Sequence, residues 1–413
     1  MQEETRHPGR ACVPPTISMG RETTQLDIAI VGAGILGCAA AAYLAEADAT
    51  VAVFDEHGVG SGASGRNSGA IEHPYDAVQQ DIYEVSLQLL RKLGVSLPEA
   101  PVGVLLLERD EAVVAELAVQ MGHQHPELNP RVLDPDELLA LEPDIAPGYR
   151  ACRLETGFPI PPRLTTELYA QEAQRHGAKF VIGAPAALLW DGRKCLGVRV
   201  GGEDVLANEI IVAAGSMTSR VVDPEGKWVP VFPSWGINLE VSMAPTPRHV
   251  LLEAGVARAQ TGEASALEQA FSLITAKGRT ALGSTFLHCE PEPEAWEARM
   301  IERACNFVPA LRKASITGRL ACARPRSIDG RPLLGRVDGA DRLLVATGNG
   351  GRGISTGAAC GKLVADSILR GSDELIPPPL RASRFPIYAS PRPLKPYKAS
   401  VRALRRVRPT PRA

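Results

Sequence analysis

The sequence predicts an α/β fold: a dinucleotide-binding sheet assembled from discontinuous chain segments, joined to an α+β domain with an antiparallel sheet. Three observations carry this. Residues 27–55 read as strand, glycine turn, Ala-rich helix and second strand. The theme of strand, glycine loop and helix returns at residues 341–370. Between them, residues 229–288 alternate β-branched and aromatic patches with Gly/Pro turns, as antiparallel strands do. A chain of 413 residues exceeds what one hydrophobic core usually serves, so two or more domains are expected.

The opening segment is a Rossmann-like βαβ unit. In GAGILG, Gly32 makes the tight turn, Gly34 lets the backbone approach a pyrophosphate, and Gly37 permits close helix–strand packing. The helix N-terminus offers its positive dipole end to phosphate. Asp55 ends the second strand eighteen residues after Gly37, where an acid can accept hydrogen bonds from a ribose. The run from Ile28 to Ala45 is uncharged and just long enough to span a membrane. Its clustered glycines would weaken a helix, so strand, turn and packed helix are expected instead of a transmembrane segment.

A glycine- and serine-rich loop follows at residues 57–74, suited to cradling phosphate. Residues 76–120 look helical, 164–182 read as helix and strand, and a hairpin-like stretch leads into the strand Glu209 to Ala214. The expected division is a disordered leader at 1–25 and a dinucleotide domain at 26–75, 150–225 and 321–372. A substrate domain would take 76–149 and 226–320, and a Pro/Arg-rich basic tail 373–413.

Composition narrows the class. Hydrophobic content of 45% and charged content of 22% are ordinary for a soluble protein. The eight cysteines are scattered without a CxxC pair, which argues against a zinc site or a disulfide framework and for a reducing, cytoplasmic setting. His73, His123, His125 and His288 show no ligand spacing, and no metal is expected. His123 and His125 flank Gln124 and are expected to face solvent. From Arg381 to Ala413 there are ten basic residues and no acid, leaving residues 1–380 with a net charge of −12. So acidic a body would repel nucleic acid, and the tail is expected to be a disordered, solvated appendage.

One stretch, ACARPRSIDGRPLLG at 321–335, sets Cys322, Arg324 and Arg326 two residues apart around Pro325 before an Asp-Gly turn. The three side chains are expected not to share one direction. With GAGILG, ASGRNSGA, IIVAAGS, this stretch and VATGNGGRGIS in order, the chain resembles the D-amino-acid-oxidase-like flavoproteins, whose branches include glycine and sarcosine oxidases. The resemblance runs from about Asp27 to Phe385. It implies FAD held in extended form, with the antiparallel domain covering the isoalloxazine ring.

By position, the resemblance implies Ile35 and Leu36 at the pyrophosphate and Asp55 and Glu56 at the adenosine ribose. Ala63 and Ser64 would meet the phosphates, Ser68, Gly69 and Ala70 the ring, and Ala186 the adenine through its backbone. Gly348, Asn349, Gly350, Gly351, Arg352, Gly353 and Ile354 would lie along the ribityl and pyrimidine end. Arg324 occupies the position that grips a substrate carboxylate, while Arg326 would point to solvent or to a backbone carbonyl. Cys322 aligns with a cysteine that sarcosine oxidases link to the flavin. The chain departs from the family at PSWGINLEV, where an arginine-glycine-glutamine pattern is usual. Ser355 replaces a carboxylate-binding lysine, and a basic residue, Arg352, sits in the glycine loop.

The resemblance implies FAD-dependent oxidation of an amino acid or carboxylate-bearing amine to an imine, which hydrolyses to an oxo acid. Oxygen or another acceptor would take the electrons. The alternatives are a dehydrogenase subunit feeding a quinone or partner protein, and a non-catalytic flavin-binding subunit. Either a homo- or a hetero-oligomer is compatible with the chain.

Overall fold

The computed structural model describes residues 25–256 and 268–387. Nearly all of the expected leader, and the tail beyond Ile387, lie outside the described residues.

The first sheet is organised by buried, β-branched strands. Its order is Leu333–Arg336, Leu343–Thr347, Glu203–Val212, Leu26–Val31, Val51–Asp55 and Lys179–Ile182. Every neighbour pair is parallel except the outermost, Leu333–Arg336 on Leu343–Thr347. The helices Ile35–Glu46, Ala77–Lys92, Pro162–Arg175 and Gly353–Arg370 bury one face of it. The hairpin Ala186–Asp191/Lys194–Val200 and Trp228 pack on the other. The uncharged run from Ile28 to Ala45 thus resolves into a central strand and a buried helix. No helix among the described residues is long and apolar enough to cross a membrane.

The second sheet runs Ser315–Ser327, Val231–Ser242, Arg279–Thr285, Gln269–Ala276, Val250–Glu253, Val104–Glu108, Arg150–Leu154 and Arg131–Leu133. It is antiparallel except where Val250–Glu253 pairs parallel with Val104–Glu108. Its core includes Phe271 stacked on Phe307, with ring centroids 4.4 Å apart.

Several boundaries differ from expectation. Residues 76–120 are not helical throughout, because Val104–Glu108 is a strand inside them. A short, wholly apolar run such as VLLL carries no period to tell strand from helix. The helix Ala77–Lys92 joins the first core, not the second. Conversely, Arg150–Leu154 and residues 321–327 belong to the second sheet, not the first. Residues 373–387 are not a tail: Ile376, Leu380 and Ala382 are fully buried. Proline-rich composition masked apolar residues spaced to fill the core.

The longest strand pair positions the site. Ser315–Ser327 and Val231–Ser242 stay in register residue for residue from Ser327 opposite Val231 to Gly318 opposite Glu240. Pro325 sits opposite Pro233 within this run without shifting it. Alternation therefore puts Cys322, Arg324 and Arg326 on one face, contrary to the expectation of divergent side chains.

Candidate active site

The mouth of the helix Ile35–Glu46 is shaped by what its glycines meet. A Cβ on Gly32, at φ +112°, would lie 2.3 Å from the Ala213 carbonyl oxygen, and one on Gly37 would lie 2.1 Å from the Gly32 oxygen. Those two allow the chain to pack on itself. Gly34 differs: within 4 Å its Cβ would meet only Ser64 Oγ, at 3.1 Å. The space above it stays clear for a ligand. Ser64 Oγ accepts from the Ile35 N–H at 3.0 Å, so the glycine-rich loop is anchored across the helix start. Leu36 packs against the first core, close to Gly357.

Asp55, expected at a ribose, accepts hydrogen bonds from backbone N–H groups on both sides of the cradle. One carboxylate oxygen accepts from Ala33 N (2.8 Å), the other from His57 N (2.9 Å) and Gly58 N (2.8 Å). It ties the two loops of the cradle together, leaving Glu56 as the exposed acid beside it. Ala186 begins its strand four residues after Ile182, the partner of Asp55. Asn67 donates to the carbonyls of Ala63 and Ser64 and accepts from Gly69 N. Arg279 donates to the carbonyls of Asn67 and Ser68, and Ala70 pairs with Pro159. These contacts hold Ala63 to Ala70 as one rigid rim.

At the other end, Gly348 to Ile354 form a turn and the start of the helix Gly353–Arg370. That start has no side-chain cap and no acid in its first turn, so its dipole faces an uncapped space. Asn349 Nδ2 donates to Thr356 Oγ1 and Cys360 Sγ, while its buried Oδ1 has no partner. The glycine cradle, the uncapped start of Gly353–Arg370 and the unpartnered Asn349 Oδ1 together fit a bound dinucleotide.

Arg324 reaches into this space from the second sheet. Its Nη1 donates to the Thr285 carbonyl at 2.7 Å, and its guanidinium carbon lies 5.0 Å from the centroid of the Phe286 ring. A Cβ on Gly236 would come within 2.4 Å of both terminal nitrogens. Gly236 is the glycine of PSWGINLEV, the one residue that stretch keeps of the usual arginine-glycine-glutamine pattern, and it makes room for the guanidinium. Arg324 has no ion-pair partner among the described residues. Burial lowers its pKa, the Cys322 thiolate would raise it and Arg326 lowers it further. Cys322 is buried, and desolvation raises its thiol pKa against the opposing pull of Arg324 and Arg66.

A polar cluster that sequence reasoning missed lies beside the glycine loop. Glu72 N donates to Ser355 Oγ at 3.0 Å, giving Ser355 a structural task. Burial pushes the Glu72 carboxyl up to about 7, opposed by Arg352. Tyr75 Oη and the Nε and Nη2 of Arg352 are buried without hydrogen-bond partners. The unusual Tyr75 backbone, at φ +52°, could not be read from local residue types either.

His125 is buried rather than solvent-facing, against His73 at a ring separation of 4.8 Å. With Glu127, these histidines bring three donor atoms within 4.8 Å of one another. The tautomer disfavours a metal. His73 Nδ1 accepts from Tyr75 N at 3.1 Å, so the neutral ring carries its proton on Nε2. That nitrogen lies 3.3 Å from Glu127 Oε1 without forming a hydrogen bond. Burial lowers the His73 pKa to about 4, with His125 and Arg352 acting the same way against Glu127.

A cavity of about 550 Å³ opens at Ala321, lined by Arg66, Arg163, Arg279, Arg319 and Glu240. Three of its arginines are ion-paired, to Glu167, Glu240 and Glu297. Its charge is thus largely neutralised, unlike that around Arg324.

The chain's likenesses agree with this geometry. The family model described as "DAO: FAD dependent oxidoreductase" matches residues 27–367. A glycine oxidase of Pseudomonas aeruginosa is 26% identical over 85% of this chain and 96% of its own length. A D-amino acid dehydrogenase of Rhizorhabdus wittichii is 26% identical over 68% and 67%. The crystal structure of a glycine oxidase from Bacillus cereus superposes with a TM-score of 0.73 at 20% identity, covering 84% of this chain and 96% of that one. The chain therefore belongs to the DAO family of FAD-dependent oxidoreductases, an enzyme family of amino acid oxidases and dehydrogenases.

Proposed function

We propose that this enzyme oxidises the C–N bond of an amino acid or related carboxylate-bearing amine, giving an imine that hydrolyses to an oxo acid. The observation that carries the reading is Arg324: a desolvated guanidinium with one neutral acceptor and, among the described residues, no acid to pair it. A buried cation in that state gains most from an anionic ligand. Its planar fork meets a carboxylate through two hydrogen bonds and stays charged at any working pH.

Bound FAD supplies a two-electron acceptor. Gly34, Ser64 and the start of Ile35–Glu46 would hold its phosphates; the backbone from Gly348 to Ile354 would lie along its pyrimidine end. Thr285 and Phe286 fix the Arg324 head, so a bound carboxylate orients the substrate's α-carbon without further ordering. The chain needs no acid or base to take part, because the amine reacts in its neutral form and the cofactor carries the hard chemistry.

A panel of amino acids and N-alkyl amino acids, scored anaerobically by flavin bleaching, tests the reading. Arg324→Ala should lower kcat/KM on carboxylate substrates by about 2–4 kcal/mol, with Arg324→Lys recovering part. Equal kinetics for wild type and Arg324→Ala would end it. Oxygen and an artificial acceptor, compared in stopped-flow reoxidation, assign the electron acceptor.

A further inference from the structure

Arg324 is not the lone unpaired cation of the site. Arg326 shares its strand face, and Arg352 lies in the glycine loop; Arg326 is close enough to lower the pKa of both Arg324 and Arg352 electrostatically. None of the three forms an ion pair among the described residues. A Cβ on Gly351 would lie 4.0 Å from Arg324 Cδ, so the glycine loop adjoins the Arg324 side chain. The heads diverge. Arg324 reaches towards Thr285 and Phe286, whereas the electrostatic neighbours of Arg352 are Tyr75, Asp76 and Glu72.

At the Arg352 end, donors outnumber acceptors. Arg352 offers two buried, unpartnered N–H groups, and Tyr75 adds a buried, unpartnered hydroxyl. The phenol is fixed from several sides. Its backbone N–H donates to His73 Nδ1, and its ring packs edge-on against His73 and His125. Asp76 is already engaged, accepting from Val78 N and pairing with Arg331 at 3.4 Å. Glu72 is the remaining acid, and its burial favours the uncharged carboxyl below neutrality. A guanidinium and a phenol O–H without an acceptor are the complement of a carboxylate.

We propose that Arg352 and Tyr75 form a second anion subsite, and that the enzyme's substrates carry a second carboxylate besides the one held by Arg324. The subsite rests on the oxidation reading above for its role in turnover, though not for its ability to bind. The backbone of the glycine loop can still follow the cofactor while the Arg352 side chain turns away from it.

The test compares acids with amides of the same shape. Holoenzyme is assayed with both enantiomers of glutamate and aspartate against glutamine and asparagine. Binding is read separately, from perturbation of the flavin spectrum by glutarate and succinate against butyrate and propionate. The expected result is a preference of about tenfold or more for the diacid in both readouts. Arg352→Gln and Tyr75→Phe should each reduce it, Arg352→Lys should keep part of it, and Arg324→Ala should weaken acid and amide together. A wild-type preference of one or less in both readouts overturns the subsite. So does a preference unchanged in both Arg352→Gln and Tyr75→Phe, or loss of FAD from Arg352→Gln with the preference intact in Tyr75→Phe. If nothing on the panel is oxidised yet glutarate binds in an Arg352-dependent way, the oxidation reading fails and the subsite stands.

Discussion

Gly236 and Arg324 form one packing unit, because the guanidinium occupies the volume a side chain at 236 would fill. Gly236→Ala should therefore mimic much of Arg324→Ala in kcat/KM while leaving FAD content unchanged; normal turnover in Gly236→Ala would show that the Arg324 head has another resting place. Cys322 invites a second measurement. If it bonds to the flavin, acid-precipitated holoenzyme stays yellow and Cys322→Ser releases free FAD; a colourless pellet leaves Cys322 as a packing residue. Glu72 and His73, adjacent in sequence, have opposite pH signatures in the apoprotein. The Glu72 pKa is raised from 4.5 to about 7, so its stabilising contribution is complete below 4.5 and lost as pH rises through 7. The His73 pKa is lowered from 6.5 to about 4, so its contribution is complete above 6.5 and lost as pH falls through 4. The groups facing the pair are Arg352, Tyr75, Tyr83, His125 and Glu127. Between pH 4.5 and 6.5 the two slopes oppose. Glu72→Gln should expose the His73 slope, with stability rising from pH 4 to 6.5, and should raise stability at pH 8 by roughly 1–3 kcal/mol. Denaturant melts across pH decide it, and a slope unchanged from wild type would show that Glu72 does not titrate in this range.

At the scale of elements, the sequence showed most clearly what depends on local chemistry. GAGILG, the strand ending at Asp55 and the loop before Gly353–Arg370 were legible because turn, dipole and apolar run lie within a few residues of one another. Arg324 was singled out by its motif. Gly236, Thr285 and Phe286 were not, since they meet Arg324 only after three strands pair across more than eighty residues. Tyr75, Glu72 and Arg352 likewise join segments nearly three hundred residues apart. The same limit applies to Gly357 and Gly361, which look like ordinary helix glycines in sequence. In the fold, a Cβ on Gly361 would lie 2.6 Å from Ala39 Cβ and 2.7 Å from the Leu36 carbonyl oxygen; one on Gly357 would lie 2.6 Å from Ile35 Cγ2. These two glycines let Gly353–Arg370 approach the helix Ile35–Glu46 closely. Gly361→Val should push the helices apart, lowering both melting temperature and FAD affinity. Unchanged FAD affinity in a destabilised variant would separate the packing of these helices from the geometry of the cofactor cradle.

Across the whole molecule, the segment 373–387 ties the first core to the connections that lead into and out of the two longest strands of the second sheet. Ile376 and Leu380 are fully buried in the first core, and Asp373 accepts from Arg336 N at 2.9 Å. Trp228 Nε1 donates to the Phe385 carbonyl at 2.7 Å, just before the strand that carries Gly236. Arg384 pairs with Asp329 at 2.8 Å, at the turn that follows the Arg324 strand. Ile387 N donates to the Asp338 carbonyl at 3.0 Å, marking the end of these contacts among the described residues. Burying two such aliphatic side chains is worth about 3–6 kcal/mol, a large part of the roughly 5–15 kcal/mol that stabilises a typical domain. A chain ending at Ile387 should therefore keep the full-length melting temperature, FAD content and kcat/KM. A chain ending at Ser372 should lose cooperative melting and FAD. Between these extremes, Arg384→Ala releases only the turn at Asp329, and should raise KM for carboxylate substrates more than it lowers melting temperature. If the chain ending at Ser372 still melted cooperatively with FAD bound, the two sheets would be joined by their own interface, and residues 373–387 would merely cover it.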